Sequence, residues 1–491
     1  MRQSVALLVS GEGIPDETRR VIVVGAGLAG LGAARALRDR GIDVVVLEAR
    51  DRIGGRVHTT PAGVDLGAHW IHGSEGNPLT NLARQLGVPT VFVGGDSSYS
   101  GGWDQMVLRD ASGGVLSNDA KLRSILAADE VRDALETLRR RFARDGADDV
   151  SVHEALEQVL ESRDLSADAR RAIAWHMALW TRDDCGADDR ELSFLWWDDG
   201  YQVYGYGDSV FMDGYGALVQ SLAQGLDIRR GHVVRRIVYE GPPGVPPYVE
   251  TDQGTFDADA VIVTLPLGVL KADVVEFDPP LPRAKRDAIA RLGMGALAKV
   301  VLHYDAPFWP KDQYVFGLHA DGVASRPTVV VNLWKTHRRP SLVLMVGGSL
   351  ARCVERWNDE QVREWSRATL RELFGAEPPE PVRVETTNWS CDQFARGAYS
   401  FVGVGATPAD IDALAEPVGS RIFFAGEATY RHHWAGAHGA YASGLREVAR
   451  LTRDPTILPA RAFTENRRWR DMMLRATRLF NVLSSALSQQ E

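Results

Sequence analysis

Cysteine is scarce in this 491-residue chain: Cys185, Cys353 and Cys391 are odd in number, widely spaced and without a CxxC pair. That pattern excludes a disulfide framework and gives no metal site, and a reducing, cytoplasmic setting is the expectation. Long apolar runs are also missing, so no membrane span is expected. The apolar patch at residues 5–9 lacks the charged leader and the length of a secretory signal. Lysine is rare. Of 56 basic residues only Lys121, Lys271, Lys285, Lys299, Lys311 and Lys335 are lysines, which makes a lysine in an unusual setting worth following. A net charge of −9 leaves no basic field for nucleic acid and mildly favours encounter with a cation. There are no repeats, and 45% hydrophobic content over this length supports two or more packed domains.

The most informative stretch that is present runs from Val21 to Glu48. An apolar run breaks into Gly25, Ala26, Gly27 and, three residues on, Gly30, then enters a helix rich in Ala and Leu. The first glycine permits the tight turn, the second lets backbone approach a pyrophosphate, and the third allows close helix packing. A second apolar run at 44–47 ends at Glu48, about 20 residues after the glycines, where a ribose hydroxyl pair needs an acceptor. Strand, glycines, helix, strand and acid in this order read as a dinucleotide-binding unit.

Further on, Arg52-Ile-Gly-Gly-Arg56 and Asp65-Leu-Gly-Ala-His-Trp-Ile-His-Gly73 read as loops able to hug a flat cofactor. Helical periodicity over 118–192 predicts a helical insertion, and 214–265 predicts a helix and strands returning to the first sheet. Strands over 300–304, 328–333 and 342–346, with a helix over 361–374, predict a separate mixed sheet. A short strand over 421–425 and a small-residue helix over 436–451 close the pattern. The fold class expected is α/β, a Rossmann-type dinucleotide-binding domain interwoven with a second domain of mixed β-sheet plus helices. The expected boundaries are 18–95, 214–296 and 418–455 for the first domain and 96–213 and 297–417 for the second. Residues 456–491 read as a basic amphipathic helix that docks on the body, a partner or a membrane surface.

With these motifs in hand, the sequence resembles the flavin-containing amine oxidase family, and within it the polyamine oxidases more than the monoamine oxidases. The resemblance rests on the glycine turn with Glu48, the 52–56 motif, Gly67-Ala-His-Trp-Ile-His-Gly73, Thr264-Leu-Pro-Leu-Gly-Val-Leu-Lys271 and Phe424-Ala-Gly-Glu-Ala-Thr429. It implies FAD, with Glu48 on the ribose, Arg56 near the pyrophosphate, Val234 holding the adenine through backbone, and Arg50 and Gly55 among the other cofactor contacts. Gly67, Ala68, His69, Trp70, Gly426, Glu427 and Ala437 complete the implied cofactor contacts. An acid beside phosphates needs an intervening donor, and the alternative for Glu427 is a helix-start acid stabilised by the macrodipole.

Lys299 lies in an apolar strand, so its ammonium is either buried with a purpose or at a strand end reaching solvent. The resemblance implies the first, a lysine holding a water near the flavin. Tyr399 matches the aromatic that faces the flavin. Ala398 stands where monoamine oxidases carry the cysteine bonded to flavin, which implies non-covalent FAD. Ala437 replaces a second cage tyrosine and leaves room for a long amine. Trp389 reads as either a cavity wall or core, and His69 and His72 as either amine ligands or structural loop histidines. Aromatic and acidic residues over 194–208 suit a cation tunnel or an ordinary core edge.

The function this implies is FAD-dependent oxidation of a polyamine or related amine. Hydride passes to flavin N5, the imine hydrolyses to aldehyde plus amine, and O2 becomes H2O2. Two alternatives stay open: an L-amino-acid oxidase or other monoamine oxidase, and a demethylase-like or non-catalytic flavin-bearing module. The partners expected are a small amine and O2, with no nucleic acid; oligomeric state is left open.

Overall fold

The computed structural model describes residues 20–94, 106–198, 202, 204–240 and 246–459. The amphipathic segment at the C-terminus therefore lies outside the described residues. The first sheet is five-stranded and wholly parallel, in the order Ile422–Phe424, Ala260–Val263, Arg20–Val24, Asp43–Glu48, Asp227–Arg230. Parallel strands need cover on both faces, and the sequence supplies it: Val21 and Val23 enter one apolar core while Ile22 and Val24 enter another. On one face helix Leu28–Arg38 packs against helix Ala437–Thr452. Small residues allow that approach, since a Cβ on Gly444 would lie 2.1 Å from the Ala29 carbonyl oxygen.

A second, six-stranded sheet runs in the order Arg383–Thr386, Leu297–His303, Ser341–Gly347, Val329–Asn332, Val315–His319, Met106–Asp110. All its pairs are antiparallel except the last, which is parallel. Alternation sorts its side chains: Val300, Leu302, Val330 and Leu344 pack on one face, and Val301, Val329, Val331 and Met345 on the other. Lys299 shares the second face. The mixed α/β class and the predicted second sheet are thus observed.

The helical insertion is three helices, Asn118–Asp145, Val152–Glu161 and Ala167–Ala178, each begun by a serine whose hydroxyl accepts a backbone amide. The third continues into a wider π-type turn, Leu179–Asp183, and the chain is irregular from there towards 192. One expectation needs correction: the motif at 65–73 is not all loop. Trp70–His72 forms a strand paired with Asp208–Phe211. Its three residues are too few for alternation to reveal.

Candidate active site

A cavity of about 420 Å³ opens where the carboxyl ends of the parallel strands meet the second face of the six-stranded sheet. At one end lies the glycine turn. Gly25 has φ of +104°, a conformation side chains resist, and a Cβ on Gly30 would lie 1.9 Å from the Gly25 carbonyl oxygen. Gly27, Leu28 and Ala29 line the cavity, and the helix they begin has no side-chain cap and no acid in its first turn. Its first amides are thus free for an anion. Ala26 and Gly30 are not in the wall; they shape it from behind. The Ala26 amide donates to Glu48 at 2.7 Å and the Arg50 amide to the other carboxylate oxygen at 2.9 Å. Glu48 is fixed at the cavity wall with lone pairs to spare.

Arg50 also reaches the wall, but its guanidinium makes a bidentate pair with Asp392 at 2.7 and 2.8 Å. Arg56 is placed otherwise. Its Nη1 donates to Glu427 at 2.8 Å and to the Ala398 carbonyl at 2.9 Å. The Ser400 hydroxyl and the Ala435 amide donate to the other Glu427 oxygen at 2.6 and 3.0 Å. So Glu427 is buried at the start of a short helix and paired with Arg56, with Ser400 and Ala435 donating to its other oxygen. Gly55, Gly67, Ala68, Val234 and Gly426 line the same cavity.

Lys299 is 4% exposed, which rules out the strand end reaching solvent. Its Nζ donates to the carbonyls of Asp65 (2.9 Å) and Gly67 (2.6 Å) and stands 6.0 Å from the Trp70 ring centroid. Burial lowers its pKa to about 8, with Asp65 opposing. His69 is also enclosed, and its Nδ1 is 3.0 Å from Asp65 Oδ2. Burial takes its pKa to about 4, against the pull of Asp65, so the contact is a hydrogen bond from a neutral imidazole rather than an ion pair. His72 is more open and meets Asp208 at 3.2 Å.

Tyr399 and Trp389 both line the cavity with their polar atoms committed elsewhere. The Tyr399 hydroxyl donates to the Asp183 carbonyl, and the Trp389 indole donates to the Leu66 carbonyl at 3.2 Å. Ala437 is in the wall and opens the helix that follows. Of the described members of the aromatic stretch, only Asp208 lines the cavity. Phe194 and Trp197 are core of the helical insertion, and Tyr204 stacks on His433. Asp199 and Tyr201 lie outside the described residues.

Sequence reasoning missed several wall residues. Asp183 and Asp184 leave the π-type turn into it, and burial raises the Asp183 carboxyl to about 8. A π-type turn has no simple sequence signature, although such turns gather at functional sites. Arg396 and Ala435, both in the wall, hold φ of +53° and +60°, unusual for residues other than glycine. Their neighbours Tyr399 and Ala437 were singled out from the sequence, and these two positions were not.

The uncapped helix start, the fixed acceptor Glu48 and the Arg56–Glu427 pair suit a dinucleotide, and the adjoining apolar wall suits a flat ring system. Comparison with known proteins agrees. The family described as flavin containing amine oxidoreductase matches residues 28–452. Polyamine oxidase 2 of Arabidopsis thaliana is 34% identical over 452 residues, covering 89% of this chain and 88% of that protein. Lysine-specific histone demethylase 1 homolog 2 of the same plant is 37% identical over 458 residues, but this chain spans 59% of its length. Among solved structures, putrescine oxidase bound to putrescine superposes with a TM-score of 0.70 at 23% identity, covering 89% of this chain and 99% of that one, a likeness of fold. Sequence motifs, cavity and family match converge: the chain belongs to the flavin containing amine oxidoreductases and is an FAD-dependent enzyme of amine oxidation.

Proposed function

We propose that the substrate is a polyamine or a related secondary amine, oxidised at a carbon–nitrogen bond to an imine that water splits into aldehyde and amine, with O2 reduced to H2O2. The observation that carries this reading is the cavity wall, where the acidic residues Asp184 and Asp208 stand among apolar side chains. Carboxylic groups around a partly apolar cavity favour a cation with a long carbon chain. Ala437 adds room where a second ring would close the site. The likeness to plant polyamine oxidases over nearly the whole of both chains supports the same choice.

In this reading FAD is held without a covalent bond by Gly25, Gly27, Glu48, Arg56, Val234 and Glu427, in segments 18–95, 214–296 and 418–455. It supplies a two-electron acceptor beside the substrate. Segments 96–213 and 297–417 form the substrate side. Tyr399 and Trp389 wall out water and present ring faces to the amine. Lys299, poised by burial to give up or take a proton near neutral pH, holds water at the reacting end. The working compartment is the cytoplasm.

Peroxide release tests the substrate choice. Spermine, spermidine, their acetylated forms, a simple monoamine, a methyl-lysine peptide and L-amino acids are offered separately in air. Peroxide from the polyamines is the expected outcome. Peroxide from amino acids or the peptide alone overturns it.

A further inference from the structure

Arg50 stands in the cavity wall with both terminal nitrogens of its guanidinium taken by a segment from the other sheet. Its backbone is fixed on the cofactor side, where the amide donates to Glu48 at 2.9 Å and the carbonyl accepts from the Gly231 amide at 3.0 Å. Its side chain crosses to Asp392, which follows the outermost strand of the six-stranded sheet. Nη1 donates to Oδ2 at 2.7 Å and Nη2 to Oδ1 at 2.8 Å. Only 12% and 18% of the two side chains are exposed, so water competes weakly for this two-pronged pair. Asp392 Oδ1 also accepts the Phe394 amide at 2.8 Å, and the Phe394 ring centroid lies 5.3 Å from the guanidinium carbon of Arg50. Burial pushes the Asp392 carboxyl up, but the bonds from Arg50 and the Phe394 amide and the charges of Arg50 and Arg52 hold it below its ordinary range, so it is ionised. Asp392 itself is not in the cavity wall. Gln393 and Phe394 beside it are, at the end marked by Glu48 and Arg50.

We propose that Asp392 is a positioning residue for the cofactor: its pair with Arg50 latches the 389–396 segment across the two sheets, so that Gln393 and Phe394 close the cavity over the adenosine half of FAD. The inference goes beyond the amine reading and does not depend on the substrate; it rests on Glu48 marking the ribose end of the cofactor. The same segment is tied a second time where the Trp389 indole donates to the Leu66 carbonyl, and the Arg50 pair is the tie at the Glu48 end. Truncating either partner leaves the other charge uncompensated in a partly buried place and favours the open segment. FAD held behind the segment leaves when the latch opens, so the pair acts chiefly on the rate of release.

The test follows FAD release from the full-length holoenzyme by the rise in free-flavin fluorescence on dilution. Asp392→Asn, which keeps the shape without the charge, and Arg50→Met are each expected to release FAD about tenfold or more faster than wild type. The double variant releases it no faster than the quicker single one, because the two side chains act as one pair, and Asp392→Glu, which keeps the charge, stays within about threefold of wild type. ADP, which carries the adenosine half alone, reads the location: as a competitor of FAD reconstitution it is expected to bind Asp392→Asn apoprotein about tenfold more weakly than wild type. Release rates unchanged in both single variants, or multiplying in the double, overturn the latch. ADP that binds Asp392→Asn as tightly as wild type overturns its placement over the adenosine. ADP that fails to compete with FAD in wild type overturns the reading of Glu48 as the ribose acceptor, and this proposal with it.

Discussion

Replacing Lys299 with methionine tests whether the cavity wall holds an ammonium against its own solvation. Burial lowers the lysine pKa from 10.5 to about 8. The folded value lies below the unfolded one, so between those pH values the unfolded chain binds more protons than the native chain. Stability from this group therefore rises with pH through that window. At about 1.4 kcal/mol per pKa unit, the rise is roughly 3 kcal/mol. Methionine has similar length and no proton, so the variant lacks the rise, and other titrations cancel in the difference. The unfolding free energy of wild type minus that of Lys299→Met should thus grow by roughly 3 kcal/mol from pH 7 to pH 10.5. Loss of the bonds to the Asp65 and Gly67 carbonyls adds an offset but no such slope. Guanidinium unfolding followed by tryptophan fluorescence, with FAD in excess, reads the difference at each pH. A difference flat to within about 1 kcal/mol, less than one pKa unit's worth, would refute the buried-ammonium argument.

Two further outcomes bear on the cofactor. Glu427→Gln keeps the shape but removes the charge that Arg56 neutralises, leaving a cation less well matched and Ser400 and Ala435 with a weaker acceptor. FAD affinity, measured by fluorescence quenching on reconstitution of apoprotein, should change by about tenfold or more, and an unchanged affinity contradicts the role given to the pair. Ala398 offers no nucleophile, so acid precipitation should release all the flavin into the supernatant; yellow colour retained in the pellet contradicts non-covalent binding.

What the sequence made legible follows from how local each signal is. The glycine turn and Glu48 act within one strand–turn–helix unit, so their spacing places the carboxylate at the strand end beside the turn, whereas the amides of Ala26 and Arg50 that hold it are brought there by the fold. Lys299 was conspicuous because a charge interrupts an apolar strand, and its burial agrees. Its acceptors are carbonyls more than 230 residues away, and no spacing rule reaches them. The Asp65–His69 contact is local, yet as a loop it read ambiguously, because the groups that enclose Asp65, Thr59 and Tyr215, come from elsewhere in the chain. Asp183 and Asp184 were missed because the π-type turn breaks the helical period just before the cavity. The aromatic run after residue 194 resembled a tunnel in composition, but packing sends Phe194 and Trp197 into the core.

The central claim is that this site oxidises polyamines, and its most direct test is an anaerobic titration of the purified FAD-loaded enzyme with spermidine, following the oxidised flavin absorbance. The account predicts rapid bleaching to completion at one equivalent per flavin, with peroxide appearing when air is readmitted. Flavin that stays oxidised with spermidine and spermine but bleaches with an L-amino acid would contradict it.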